Sequence, residues 1–152
     1  MGTGIDIGFI DDHRLRGLIE KYYEEAVHAH EAAAYLGSLA TSGAIVEGIL
    51  TWGLLRKESY AQASKKAPKN KDGQALPLTK WNVTSLIQVA AELELIGKTA
   101  QDASWALRDF RNFIHPFSVL NQSARPDEAL SSSALAAVHE ITRSLRGRLE
   151  SR

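Results

Sequence analysis

Arg108, Arg111, Asn112 and His115 crowd into one short stretch, LRDFRNFIHP, from Leu107 to Pro116. Each residue suits phosphate or proton chemistry. A guanidinium is a permanently charged planar fork that matches phosphate oxygens. An imidazole takes or gives a proton near neutral pH. An amide orients a neighbour or holds an oxygen. At about 100° per residue of α-helix, with Arg108 at zero, Arg111 falls near 300°, Asn112 near 40° and His115 near 340°. The four are expected to form one stripe. Ala103, Ala106, Leu107, Phe110, Phe113 and Ile114 fall opposite, between about 140° and 260°, and are expected to dock the helix in a core. Opposed faces are also the ordinary solvated pattern of a bundle helix. This stripe, however, holds neither lysine nor glutamate, and Trp105 flanks it. Pro116 cannot extend the helix and biases His115 away from helical backbone. The imidazole is thereby placed at the helix end, where the negative pole of the dipole favours its charged form.

Such a stripe needs a scaffold, and the chain supplies helices for it. Apolar residues recur at helical spacing almost throughout. A first helix is expected from about Asp12 to about His28, capped by Asp11 or Asp12, with Leu15, Leu18, Ile19, Tyr22, Tyr23 and Ala26 as its apolar stripe. A second, from about Glu31 to about Ala63, is apolar on most sides, as a central element should be. Its glycines at 37, 43, 48 and 53 suggest close helix contacts or a break near Gly43. The stretch SKKAPKNKDGQALPLTK, residues 64–80, reads as a mobile loop. A third helix is expected to begin near Asn82 or Thr84 and to stop at Gly97. The stripe helix follows, from about Thr99 to about His115, and then a loop, PFSVLNQSAR. Pro126, Asp127 and Glu128 open a last helix ending near Leu149. The sum is an all-α, four- or five-helix up-and-down bundle: a flexible start over residues 1–11 and a single domain over 12–150.

Composition narrows the chemistry. The 152 residues suit one domain, and a 44% hydrophobic share builds a core without staples. With no cysteine, disulfide frameworks and thiolate metal sites are excluded. Net charge is zero, so contact with nucleic acid must come from a local patch. No uninterrupted apolar run reaches the roughly 18 to 20 residues that span a bilayer. The start, MGTGIDIGFIDD, lacks the basic-then-apolar order of a secretory signal. A cytoplasmic protein without membrane contact is expected. GTGIDIG resembles a glycine-rich phosphate loop but has no βαβ setting. His28 and His30 point roughly 200° apart on a helix and do not make a metal pair.

The run from Arg108 to Pro116 resembles the signature of HEPN domains, the higher eukaryotes and prokaryotes nucleotide-binding superfamily: an arginine, a polar residue, and a histidine after four to six intervening positions. Arg108, Asp109 and His115 fit with six intervening residues, whereas the pair Arg111-Asn112 leaves only three. The helix order also matches: an apolar helix containing GAIVEGIL, a polar loop, the helix TSLIQVAAEL, then the motif helix. The resemblance covers residues 12 to 150. It implies a helical bundle that dimerises through its motif helices and, in many members, a metal-independent endoribonuclease acting as a toxin or phage-defence effector. It needs no cofactor or metal. His115 would move the proton of a ribose 2′-OH or of the leaving oxygen, and Arg108, with Arg111, would hold the scissile phosphate. RNA, a second copy of the chain and an antitoxin or partner protein are the implied partners. Other relatives are non-catalytic modules that bind RNA, nucleotide or protein. Where some family toxins carry a tyrosine two places after the histidine, this chain has Phe117.

Glu47 interrupts the apolar AIVEGIL. A buried carboxylate needs a partner, and Arg111 or Arg108 would both be served by it. The other reading puts Glu47 on the one wet strip of its helix.

Overall fold

The computed structural model describes residues 4–120 and 125–150, apart from the side chain of Arg111. Seven α-helices and two 3₁₀ turns, with no strand, make up the regular structure of these residues. The five long helices are those the sequence predicts: α1 (His13–Glu31), α2 (Tyr35–Leu55), α4 (Val83–Glu92), α5 (Lys98–Phe110) and α7 (Glu128–Glu150). Two short ones were not foreseen as separate elements, α3 (Glu58–Ala63) and α6 (Pro116–Leu120). The architecture is an all-α bundle.

Helix α2 is the axis of the bundle, and α1, α4, α5 and α7 all pack on it. By length and apolar composition alone α2 could cross a membrane, but 61% of its apolar window is buried inside the fold. Its helix continues through Gly43 and breaks only at Arg56 and Lys57, where α3 begins. Gly53 serves a close contact: a Cβ there would meet the Leu145 methyls of α7 at 3.2 and 3.3 Å. Gly48, by contrast, faces open space.

The caps explain the helix ends. Asp12 accepts hydrogen bonds from the Arg14 and Leu15 amides at 3.0 Å each, so it caps α1. Asn82 caps α4 through the Ser85 amide at 2.8 Å. Asp127 accepts from the Leu130 amide at 2.8 Å, which leaves Pro126 before α7 instead of within its first turn. Helix α4 stops before the expected Gly97. Glu94 takes a left-handed backbone (φ 59°), and the Leu95 amide donates to the Ala90 carbonyl while the Glu94 amide donates to Ala91. This closing pattern usually uses glycine; here it turns Leu95 and Ile96 into the core. Ala33 (φ 60°) closes α1 in the same way.

Two segments expected to be loose are built into the structure. In the N-terminal segment Ile7 and Ile10 are fully buried and Phe9 meets Trp52 edge-on at 5.7 Å, so residues 4–11 form a strap across the bundle. Between 64 and 80, the Asn70 side chain accepts from the Asp72 and Gln74 amides, Gly73 supplies a positive φ of 78°, and Trp81 donates its indole N–H to the Leu76 carbonyl. Ala67 and Leu78 anchor that loop in the core. The apolar burial offered by these few residues outweighs the turn-rich composition around them.

Candidate functional site

The motif stretch does not form one α-helical rod. Helix α5 ends at Phe110, Arg111–Ile114 winds as a 3₁₀ turn, and His115 adopts extended backbone (φ −98°, ψ 112°). Pro116 then opens α6, whose first helical bond runs from the Val119 amide to the His115 carbonyl. Proline is favoured at that first-turn position because its missing N–H would have no partner there. The single stripe from Arg108 to His115 is therefore corrected. The arginine belongs to the α-helix, and the histidine is the pivot between a tightened turn and the next helix.

The buried face of α5 is also turned from the expected one. Ala100, Ser104 and Leu107 are buried, Ala103 and Phe110 are half-buried, and Ala106 is exposed. Ser104 misled the wheel because it reads as polar. Its hydroxyl donates to the Ala100 carbonyl at 2.8 Å, so it buries at little cost. Ser104 lies one turn before Arg108 and only about 40° round from it. Arg108 thus sits at the border of the packed face, not opposite it. In the 3₁₀ turn, positions three apart eclipse, so Phe113 follows Phe110 inward and Ile114 is left 37% exposed, contrary to its expected core role.

Arg108 is held from two sides. Its Nε and Nη2 donate to Asp109 Oδ1 at 3.1 and 2.8 Å, and its guanidinium lies 4.7 Å from the Trp105 ring centroid. Trp105, noted in the sequence as an aromatic flank, is thus a platform for the arginine. The ion pair is half exposed, so it contributes no more than about 1 kcal/mol and exchanges readily for a phosphate. The Nη1 donors lie outside the pair. His115 and Asn112 are exposed. The 3₁₀ turn packs on α2, the helix that carries Glu47. Glu47 is half-buried and lines a cavity of about 390 Å³ with Trp52, Trp81 and Leu86. The carboxylate that Arg108 engages is Asp109; the suggested pairing of Glu47 with Arg111 lies outside the described residues.

Apolar surface surrounds the motif. Phe117 is 84% and Leu120 71% exposed on α6. Ala103, Ala106 and Phe110, expected to face the core, instead line an open groove with Ser133, Ala136 and Ala137 of α7.

Sequence reasoning missed a second Arg/His cluster. On α7, His139, Thr142, Arg143 and Arg146 line a cleft closed by Asp6 of the strap. The Tyr23 hydroxyl of α1 hydrogen-bonds His139 Nε2, and the two rings meet edge-on at 5.1 Å. Burial raises the Tyr23 pKa above the usual phenol value. His139 is lowered from the usual imidazole value, first by burial and then by the Arg143 charge. Arg146 pairs with Asp6, and Arg143 with Glu140 at 2.9 Å. Spacing offered a signal: positions 139, 143 and 146 share one helical face. Of the two histidines in HAH, His30 Nδ1 lies 2.8 Å from Ser131 Oγ, and His28 is exposed. GTGIDIG, where described, is part of the strap and not a phosphate loop in a βαβ unit. Among the described residues, no three His, Asp or Glu side chains group to hold a metal.

Compared with protein-family models, with curated proteins and with solved structures, the chain finds no match in any of the three.

Proposed function

We propose that this chain is a HEPN-like, metal-independent endoribonuclease of the toxin or phage-defence kind, and that a second copy completes its site. The observation that carries the reading is the state of His115: exposed, on an extended pivot, one 3₁₀ turn beyond the helix that carries a stacked, half-exposed Arg108. In this scheme His115 takes the 2′-OH proton of a ribose. The 2′ oxygen attacks the adjacent phosphorus, the bond to the 5′ oxygen breaks, and that oxygen receives a proton. The products are a 2′,3′-cyclic phosphate and a 5′-hydroxyl. Arg108 exchanges Asp109 for the phosphate and stabilises the charge that develops on its oxygens. Asn112 and Arg111 supply further contacts to the RNA backbone. Uncovered apolar surface at Phe117, Leu120 and the groove beside Phe110 supports a homodimer through this face.

A second reading is a HEPN-like module that binds RNA, nucleotide or a partner protein without cutting. The bent motif favours it, because Arg108 and His115 no longer share one rod. Incubation of the purified protein with RNA in chelator separates the two. Cleavage that disappears in His115→Ala and in Arg108→Ala, with unchanged circular dichroism, supports the nuclease. RNA retention without cleavage supports the binding module, and the absence of both cleavage and retention overturns the nuclease and any RNA-binding role.

A further inference from the structure

We propose that the cleft between α7 and the N-terminal strap is an oxyanion site that takes a phosphate group, separate from the Arg108/His115 motif and independent of the nuclease reading. Its donors come from Arg143, Arg146 and His139. The Thr142 hydroxyl is committed to the Val138 carbonyl and contributes wall, not donor. The Tyr23 hydroxyl occupies His139 Nε2, so when the phenol donates, Nδ1 carries the ring proton and is a donor.

Three observations point to an anion. First, Arg146 carries a mismatch: its Nε is buried without an acceptor among the described residues, while Nη1 is bound to Asp6. A buried donor left unpaired costs on the order of 1–3 kcal/mol, so the pairing with Asp6 leaves the Arg146 guanidinium incompletely satisfied. A guanidinium takes two phosphate oxygens through one fork, which a single Asp6 oxygen does not supply. Second, the cleft measures about 120 Å³. That is room for a small tetrahedral oxyanion among the lining side chains, with the mouth of the cleft open to solvent. Third, the present partners are replaceable. The Arg146–Asp6 and Arg143–Glu140 pairs are both partly exposed, and such pairs contribute little. The charged and titratable groups lining the cleft are Asp6 from the strap and His139, Arg143 and Arg146 from α7; Tyr23 of α1 contacts His139, and Glu140 contacts Arg143. A dianion among them favours the charged form of His139, opposing the effect of Arg143.

The test follows the His139 imidazole by NMR while inorganic phosphate, AMP or adenosine is added to the full chain. Phosphate and AMP are expected to shift the His139 signals and raise its pKa, and adenosine to leave them in place. Equal affinity for the two assigns the site to free phosphate; tighter AMP binding assigns it to a phosphate monoester. Arg146→Gln is expected to weaken binding about tenfold or more. Asp6→Asn removes the competing carboxylate and is expected to tighten it, which a purely structural role for Asp6 would not produce. If Arg146→Gln does not fold, Arg146→Lys, which keeps the charge and loses the fork, gives the same comparison. The proposal is overturned if millimolar phosphate leaves His139 unmoved, if adenosine shifts it as AMP does, or if the shift persists unchanged in the foldable Arg146 variant.

Discussion

Two regions of this molecule bring arginine and histidine together, and they do so in opposite ways. At the end of α5 the residues are neighbours in sequence, and the backbone separates their elements: Arg108 on an α-helix, His115 on an extended pivot. At α7, His139 and Arg146 gain their partners only through the fold, from Tyr23 across 116 positions and from Asp6 across 140. The first region is exposed and cheap to rearrange. The second is half-buried and shifts the proton affinities of its members. Neighbourhood in the chain supplies candidates for chemistry; burial and convergence from several elements supply pre-organised groups.

The sharpest way to break this contrast is to remove the exposed pair. His115→Ala is expected to lower RNA cleavage by about 100-fold or more, the usual size of a lost acid–base group. The midpoint of urea unfolding should barely move, since exposed side chains away from special contacts contribute within about 0.5 kcal/mol. A large loss of stability in that variant would show that the motif end is structural.

The α7 cluster should answer in the reverse sense. Tyr23→Phe leaves the half-buried His139 without its phenol partner and is expected to destabilise the fold by roughly 1–2 kcal/mol in urea titration, with RNA cleavage unchanged. If stability stays constant, the Tyr23–His139 contact is as dispensable as the surface pairs.

A smaller effect is expected in the pH dependence of stability. His139 has a lowered pKa in the fold, so below about pH 6.5 the unfolded chain binds more protons than the native one. The contribution of His139 is therefore full above that value and is lost as pH falls toward the folded pKa. Tyr23 works at the other end: its raised pKa keeps it protonated in the fold, so stability declines as pH rises above about 10. Paired urea titrations at pH 5 to 8 should show a flatter profile in His139→Gln. An identical slope in both proteins would remove His139 from the pH response.

The smallest change tests a neutral region against both clusters. Glu94→Gly relieves a left-handed backbone and is expected to stabilise by up to about 1 kcal/mol, read as a higher urea midpoint. Glycine there also widens the unfolded ensemble, which trims the gain. No change in cleavage or in the His139 signals should accompany it.

Much of the framework was legible in the sequence, because helix periodicity and capping are local. Of the two aspartates expected as the first cap, Asp12 serves; the third helix begins right after Asn82, one of its two expected starts; and Pro116 does turn His115 out of helical backbone. What escaped was set by contacts across the chain. Ser104 looks polar yet buries, because its hydroxyl is satisfied within its own helix. Leu18 and Tyr22 lie on the predicted apolar stripe of α1 yet stay on the surface, while Ile19, Tyr23 and Ala26 take the core. The strap at Ile7 and Ile10 reads as a loose start until a groove exists for it.

By itself, then, the sequence determined an all-α chain, the approximate places of its five long helices and the residue types at the end of α5. Those follow from spacing at 3.6 residues per turn and from side chains that serve their own backbone. Only the tertiary structure decided which face of α5 is buried, that α5 tightens before His115, and that Tyr23, His139, Arg146 and Asp6 meet. Each of these depends on packing between elements far apart in the chain, where burial outweighs local preference.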